Sequence, residues 1–209
     1  MLHFPVLLEE SVDFLLNDLN GHYIDCTFGR GGHSKLILQK LTKDGFLTGI
    51  DKDPDAYEYA TKLKNNNFKI INDSFKNIEK YFEEESISGI LYDLGTCSTH
   101  LNQPERGFSF NKEGPLDMRF NNKKGIPLSD WLENASEEQI RDILYQYGDE
   151  KHAKLISNAI FRSKIKNKIT TTTQLSKIIK DIYPEKEKKI HPATKSFQAF
   201  RIFINNELE

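Results

Sequence analysis

Two cysteines in 209 residues, Cys26 and Cys97, show neither the spacing of a disulfide framework nor that of a metal site. Buried free thiols in a reducing compartment are the default for such a pair. No apolar run approaches the length that crosses a bilayer, and the amino terminus lacks the charged-then-apolar pattern of a secretory signal. These absences lead to the expectation of a cytoplasmic protein with no membrane partner. A formal net charge of -2 argues against a chain that coats nucleic acid indiscriminately. No internal repeat or long low-complexity tract is found; Thr170 to Thr173 is too short to count. The length suits one domain with an insertion, or two small ones.

The charge that is present is uneven. From Lys151 onward Lys and Arg outnumber Asp and Glu, with clusters at Arg162, Lys164, Lys166 and Lys168 and at Lys186, Lys188 and Lys189. Such asymmetry permits phosphate contacts, and a solvated lysine-rich face accounts for it equally well.

The most informative stretch is Tyr23-Ile24-Asp25-Cys26-Thr27-Phe28-Gly29-Arg30-Gly31-Gly32-His33. A short β-favouring run breaks into a glycine cluster, and a helix-like segment, Ser34 to Leu41, follows. Strand, glycine turn and helix form the nucleotide-binding corner of a doubly wound sheet. Glycine serves there because the backbone must turn sharply and a ligand must approach main-chain N–H groups. The spacing is Gly-x-Gly-Gly, without the last glycine of the dinucleotide fingerprint. The next strand, Phe46 to Ile50, ends in Asp51. An acidic side chain at that point can accept hydrogen bonds from ribose hydroxyls. The corner reads as a site for a ribose-bearing cofactor.

Around this corner the chain alternates. Leu8, Val12, Leu15, Leu16 and Leu19 have helical spacing, stopped by Asn20-Gly21. Asp53-Pro54 is a helix start, with Asp at the cap and Pro at the first helical position. Phe68 to Asn72 is a third strand, a helix follows at about Ile78 to Glu84, and Ile87 to Tyr92 is a fourth strand ending at Asp93. The pattern predicts a parallel α/β sheet with helices on both faces and a ligand across the strand carboxyl ends. From Leu94 to about Pro127 no period holds, and a loop of that length is more often functional than filler. Helical spacing then returns, with Ser136 and Gln139, and Thr171 and Gln174, placed as capping boxes. Further helices are expected at about Glu150 to Lys164 and after Pro192. The expected division is residues 1–116 as an α/β domain and 117–209 as a small all-helical domain.

An ordered set of segments resembles the bacterial small-subunit ribosomal RNA cytosine-N4 methyltransferases. It comprises His3-Phe4-Pro5-Val6-Leu7, the glycine stretch through Ser34, Gly49-Ile50-Asp51-Lys52-Asp53, Asp93-Leu94-Gly95, and Glu105-Arg106-Gly107-Phe108-Ser109-Phe110. It continues with Gly114-Pro115-Leu116-Asp117-Met118-Arg119, His191-Pro192-Ala193-Thr194, Phe197-Gln198-Ala199-Phe200-Arg201 and Asn205-Asn206-Glu207-Leu208. The resemblance implies a class I methyltransferase (Rossmann-like) sheet, a helical domain inserted after the fourth strand, S-adenosyl-L-methionine as cofactor, and 16S ribosomal RNA in the assembled subunit as substrate. By similarity Gly29, Gly31, Gly32 and His33 line the methionine end, Asp51 holds the ribose, Phe75 lies on the adenine, and Asp93 sits by the sulfonium. Asp93 is the candidate catalytic acceptor for the N–H groups of the target amine. No metal is expected, since His33 has no partner ligands at a usable spacing.

Two replacements stand out. Where the family pattern runs Val-Ser-Ser-Pro-Gln, this chain has Thr96-Cys97-Ser98-Thr99-His100, placing His100 where a glutamine meets the cofactor and making that contact pH-sensitive. Lys195 stands where the family prefers arginine. The family pattern also continues beyond residue 209 with strands that complete the sheet, so a truncated sheet is expected here, with its fourth strand as a bare apolar edge. Candidate RNA contacts are Arg106, Phe108, Phe110, Arg119, His191, Lys195 and Arg201, the aromatic residues to stack on a base and the cations to meet phosphate. Phe108 and Phe110 could equally anchor the loop. Three other functions remain compatible: a non-catalytic RNA-binding or assembly protein, a nicotinamide-dependent oxidoreductase, and a methyltransferase acting on protein or a small molecule.

Overall fold

The computed structural model describes residues 5–183 and 190–208. His3, Phe4, Lys186, Lys188 and Lys189 of the sequence analysis lie outside the described residues. The chain divides into two compact units, Met1–Cys97 and Ser98–Glu209.

The first unit runs α1 (Leu8–Leu15), β1 (His22–Asp25), α2 (Gly32–Lys40), β2 (Phe46–Ile50), α3 (Pro54–Thr61), β3 (Phe68–Ile71), a 3-10 turn (Phe75–Lys80) and β4 (Gly89–Leu91). The strands form a parallel sheet in the order β3-β2-β1-β4. Alternation along β1 sends Tyr23 to one face and Ile24 and Cys26 to the other. Tyr23 and Leu47 pack with Val12 of α1 and Ile37 of α2. Phe68 joins that group and also the cluster of Phe28 with Ala56 and Ala60 of α3, so α1, α2 and α3 share a face.

The opposite face holds Ile24, Cys26 and Ile50 against Phe75, Ile78 and Phe82. Helices were expected on both faces; among the described residues this one is covered by the 3-10 turn. The steps β1 to β2 to β3 go one way, so right-handed crossovers put α2 and α3 on one side, and only the return to β4 crosses the other. That return is held tight at its start. Asp73 accepts bonds from Ser74 N, Asn77 Nδ2 and, at 2.7 Å, Tyr81 Oη. The strand order reverses at β1, which is the switch point where a doubly wound sheet opens a crevice. Among the described residues β4 has no neighbour on its outer side, where Ile90 and Tyr92 are exposed.

The second unit holds α4 (Ser98–Asn102), a 3-10 turn (Pro104–Arg106), α5 (Leu128–Asn134), α6 (Glu137–Gly148), α7 (Ala153–Lys166), α8 (Thr172–Lys180) and α9 (Thr194–Asn205). Both capping boxes form, Ser136 with Gln139 and Thr171 with Gln174. The sequence placed the boundary between residues 116 and 117; the units divide at Cys97. The reason is burial: Phe108, Leu116, Met118 and Phe120 of the aperiodic loop lie in one core with Leu132, Leu144, Ile160 and Phe200. Its main chain is anchored as well. Met118 adopts a left-handed φ of 64°, and Asn205 of α9 donates to Met118 O at 2.7 Å and accepts from Phe120 N at 2.6 Å. Satisfying buried backbone groups in this way is what lets an irregular segment leave solvent.

Candidate functional site

The glycine turn between β1 and α2 is held by two carboxylates. Asp25, fully buried at the end of β1, accepts from Thr27 N at 3.1 Å and from Ser34 Oγ at 2.6 Å, so one side chain clasps both ends of the turn. Burial pushes the Asp25 carboxyl above its ordinary range, and those two donors offset part of that shift. Asp51, at the end of β2, accepts from Gly29 N at 2.7 Å and from Asp53 N at 2.9 Å.

Gly31 precedes α2 at φ 70°, and a Cβ there would lie 2.8 Å from the Phe28 ring. Glycine is therefore required by both conformation and packing. Because Gly31 offers no side chain, α2 begins without a side-chain cap, leaving its first-turn N–H groups directed outward from the turn. The His33 ring on that turn is 6% exposed, and its Nε2 has no hydrogen-bond partner among the described residues.

The fourth strand end joins the same place. Asp93 N donates to Thr27 Oγ1 at 2.8 Å, and Asp93 Oδ2 lies 3.8 Å from His33 Nδ1. The Asp93 side chain is half exposed. Beside it, Tyr92 meets the ring of Phe75 edge-on at 5.4 Å, which links the end of β4 to the segment after β3. Gly29, Gly31, Gly32, His33, Asp51, Phe75 and Asp93 thus form one connected series of contacts and chain neighbours across the strand carboxyl ends. Asp25, Thr27, Ser34 and Tyr92 escaped the sequence reading, although each adjoins or lies within the stretches already singled out. Thr27 meets Asp93 across 66 positions, and no spacing rule reports that.

Other expected residues are used differently. His100 belongs to the second unit, where its ring is buried against Phe108 at 4.8 Å and Phe120 at 5.0 Å. Arg106 is buried and donates to Arg119 O at 3.3 Å and Phe120 O at 2.8 Å. Arg119 forms a two-pronged pair with Asp117, both bonds 2.7 Å, and also donates to Gly125 O. Lys195 Nζ bonds Asp149 O at 2.7 Å at the end of α6, and Arg201 pairs in the same forked way with Glu207 at 2.8 and 2.9 Å. These four cations, expected as RNA contacts, each bond groups of their own unit. Phe108 is buried beside the ring of His100, as an anchor of the loop would be. Phe110 and His191 are partly buried and stack on each other, ring centres 4.4 Å apart and nearly parallel.

The lysine cluster at the carboxyl end of α7 and just beyond it divides as well. Lys164 Nζ donates to Leu132 O at 2.9 Å and Glu133 O at 3.1 Å, and to Ala135 O, closing the carboxyl end of α5. Lys168 pairs with Asp130 and Glu133. Among the described residues no group of His, Cys, Asp and Glu gathers as a metal site, and no helix is long and apolar enough to cross a membrane.

Comparison with known proteins bears on this geometry. A family model described as the MraW methylase family matches residues 1–209. The ribosomal RNA small subunit methyltransferase H of Acinetobacter baumannii (strain SDF) is 47% identical over 215 residues, covering 100% of this chain and 69% of that protein. The protein of the same name from Acinetobacter baylyi is also 47% identical, covering 100% and 70%. That from Marinomonas sp. (strain MWYL1) is 45% identical over 212 residues, covering 99% and 68%.

Proposed function

From the premise that this chain belongs to the MraW methylase family over its whole length, we propose that it methylates the exocyclic N4 amine of a cytidine in small-subunit (16S) ribosomal RNA. The cofactor of this reading is S-adenosyl-L-methionine, the setting the cytoplasm, and the substrate the RNA within the assembled subunit. The carrying observation is the convergence of the strand ends, through the Gly29–Asp51, Thr27–Asp93 and His33–Asp93 contacts, at the point where strand order reverses. The RNA half draws on the names of the relatives, which act on the small subunit.

The residues present suit the cofactor. Uncapped N–H groups at the start of α2 offer a carboxylate the donors and dipole it needs, and the orphaned His33 Nε2 adds a buried polar atom beside them. Asp51 would receive ribose hydroxyls, and Phe75, backed by Tyr92, would offer a ring face to adenine. When bound, S-adenosyl-L-methionine supplies a methyl group activated by a sulfonium.

Loss of a neutral thioether calls for little acid catalysis, so alignment of methyl and amine carries most of the rate. The N4 lone pair is delocalised into the pyrimidine ring. Asp93, accepting a hydrogen bond from the amine N–H, would localise that pair on nitrogen. The target base has to leave its stack to reach the site, and the Phe110–His191 pair is the aromatic surface we assign to RNA in the second unit.

The test is incubation of the chain with radiolabelled cofactor and unmethylated small subunits, followed by mapping of the labelled nucleotide. Label on a cytidine N4, abolished in Asp93→Ala under saturating cofactor, supports the proposal. Calorimetric binding of the cofactor with no transfer to any nucleotide would favour a non-catalytic RNA-binding protein and overturn it.

A further inference from the structure

Between Gly29 and Gly31, Arg30 turns toward α3, away from the contacts that His33 makes with Asp93 on the far side of β1. Its guanidinium carbon lies 5.3 Å from the centre of the Tyr59 ring, and Nη1 donates to Asp55 O at 3.3 Å. Lys35 of α2 brings its ammonium to the same ring, also at 5.3 Å, and donates to Tyr59 Oη at 2.9 Å. Tyr59 is itself backed by the buried ring of Phe28, with centroids 6.5 Å apart. Arg30 and Tyr59 are partly exposed and Lys35 is exposed.

This arrangement is unlike the ion pairs of the second unit. Arg119, Lys168 and Arg201 each meet a carboxylate, whereas neither Arg30 nor Lys35 forms an ion pair among the described residues. Arg30 is drawn to the ring and Lys35 to its hydroxyl, and neither charge is neutralised by the contact. Each also keeps donors in hand. A guanidinium has five N–H groups and an ammonium three, and one bond to protein is made by each head group. A fork and a point charge at one tyrosine suit a tetrahedral anion bearing several acceptor oxygens.

The cofactor has no phosphate, and its carboxylate already has donors at the start of α2. The RNA strand carries a phosphate at every nucleotide. We propose that Arg30 and Lys35, gathered at Tyr59, bind backbone phosphate of the RNA strand beside the target cytidine. This rests on the RNA-methylating reading above and adds to it a strand contact on the α3 flank of the glycine turn.

The experiment uses the 209-residue chain, a fluorescently labelled single-stranded RNA oligonucleotide, and anisotropy titrations across salt concentration, with cofactor calorimetry in parallel. For single strands the slope of log K against log[salt] is about 0.7 per neutralised phosphate. The double variant Arg30→Gln/Lys35→Gln is expected to flatten the slope by about 0.7 to 1.4 and to weaken low-salt binding about tenfold or more, with cofactor affinity unchanged. Arg30→Lys, which keeps the charge and loses the fork, is expected to retain the slope. An unchanged slope and affinity in the double variant would overturn the proposal, as would an unmodified chain that binds cofactor and no RNA at low salt. A chain that binds no cofactor, yet loses its RNA salt dependence in the double variant, supports the phosphate site and sinks the cofactor reading instead.

Discussion

The hydroxyl oxygen of Thr27 accepts the main-chain N–H of Asp93 at 2.8 Å, tying the second residue after β1 to the second residue after β4. Thr27→Val keeps the shape and removes the acceptor. Asp93 is half exposed, so its N–H can turn to water and the stability loss should be only about 1 kcal/mol. Methyl transfer should suffer more, by about ten- to a hundredfold in kcat, because a small displacement of a positioned group is costly. Cofactor affinity should change little, and Thr27→Ser should restore the rate. Equal losses in Thr27→Val and Thr27→Ser would show that the hydroxyl is not what matters.

Asp25 makes stability depend on pH in a direction that can be stated in advance. Burial raises its carboxyl above the ordinary 3.8, so the folded chain holds that proton more firmly than the unfolded chain does. Its favourable contribution is complete below 3.8 and is lost as pH climbs through the raised folded value. Asp25→Asn removes the titration. Urea denaturation of parent and variant should therefore give a stability difference that moves toward the variant as pH rises from about 4 and then levels. A difference independent of pH would contradict the burial argument.

Lys164 is expected to matter for the fold and not for RNA. Lys164→Met keeps the aliphatic stem and strips the carboxyl end of α5 of its cap. The helical unit should lose about 1–2 kcal/mol in chemical denaturation, while the salt dependence of RNA binding stays where it was. A shallower RNA slope would return Lys164 to the phosphate-binding surface.

His100 separates packing from ligand contact. His100→Phe preserves a ring against Phe108 and Phe120 and should leave cofactor affinity intact. His100→Ala should cost about 3 kcal/mol, as emptying a buried ring site does. Weakened cofactor binding in His100→Phe, with the melting temperature unchanged, would reinstate the histidine as a ligand contact.

The parts legible in the sequence were those governed by neighbours in the chain. Asp53-Pro54 starts α3 as read, with Asp53 Oδ1 accepting from Asp55 N. Phe46 to Ile50 is β2 to the residue, and both capping boxes close. The segment from Ile78 was read as a helix; a 3-10 turn from Phe75 to Lys80 stands there, drawn tight by bonds from Asn77 and Tyr81 to Asp73. The loop after Asp93 carried no period, so its burial with the helices was invisible.

What this sequence determined by itself is the strand–glycine–helix corner and the acidic residues that follow the strands, because backbone conformation and side-chain alternation are local properties. Only the tertiary structure decided how the charged side chains are used. Arg106, Arg119, Lys195 and Arg201 look on paper like Arg30 and Lys35, yet the first four bond carbonyls or carboxylates of the second unit, while Arg30 and Lys35 meet at Tyr59 with no carboxylate partner among the described residues. A cation's role is set by the partner that folding brings to it, and such partners come from distant parts of the chain.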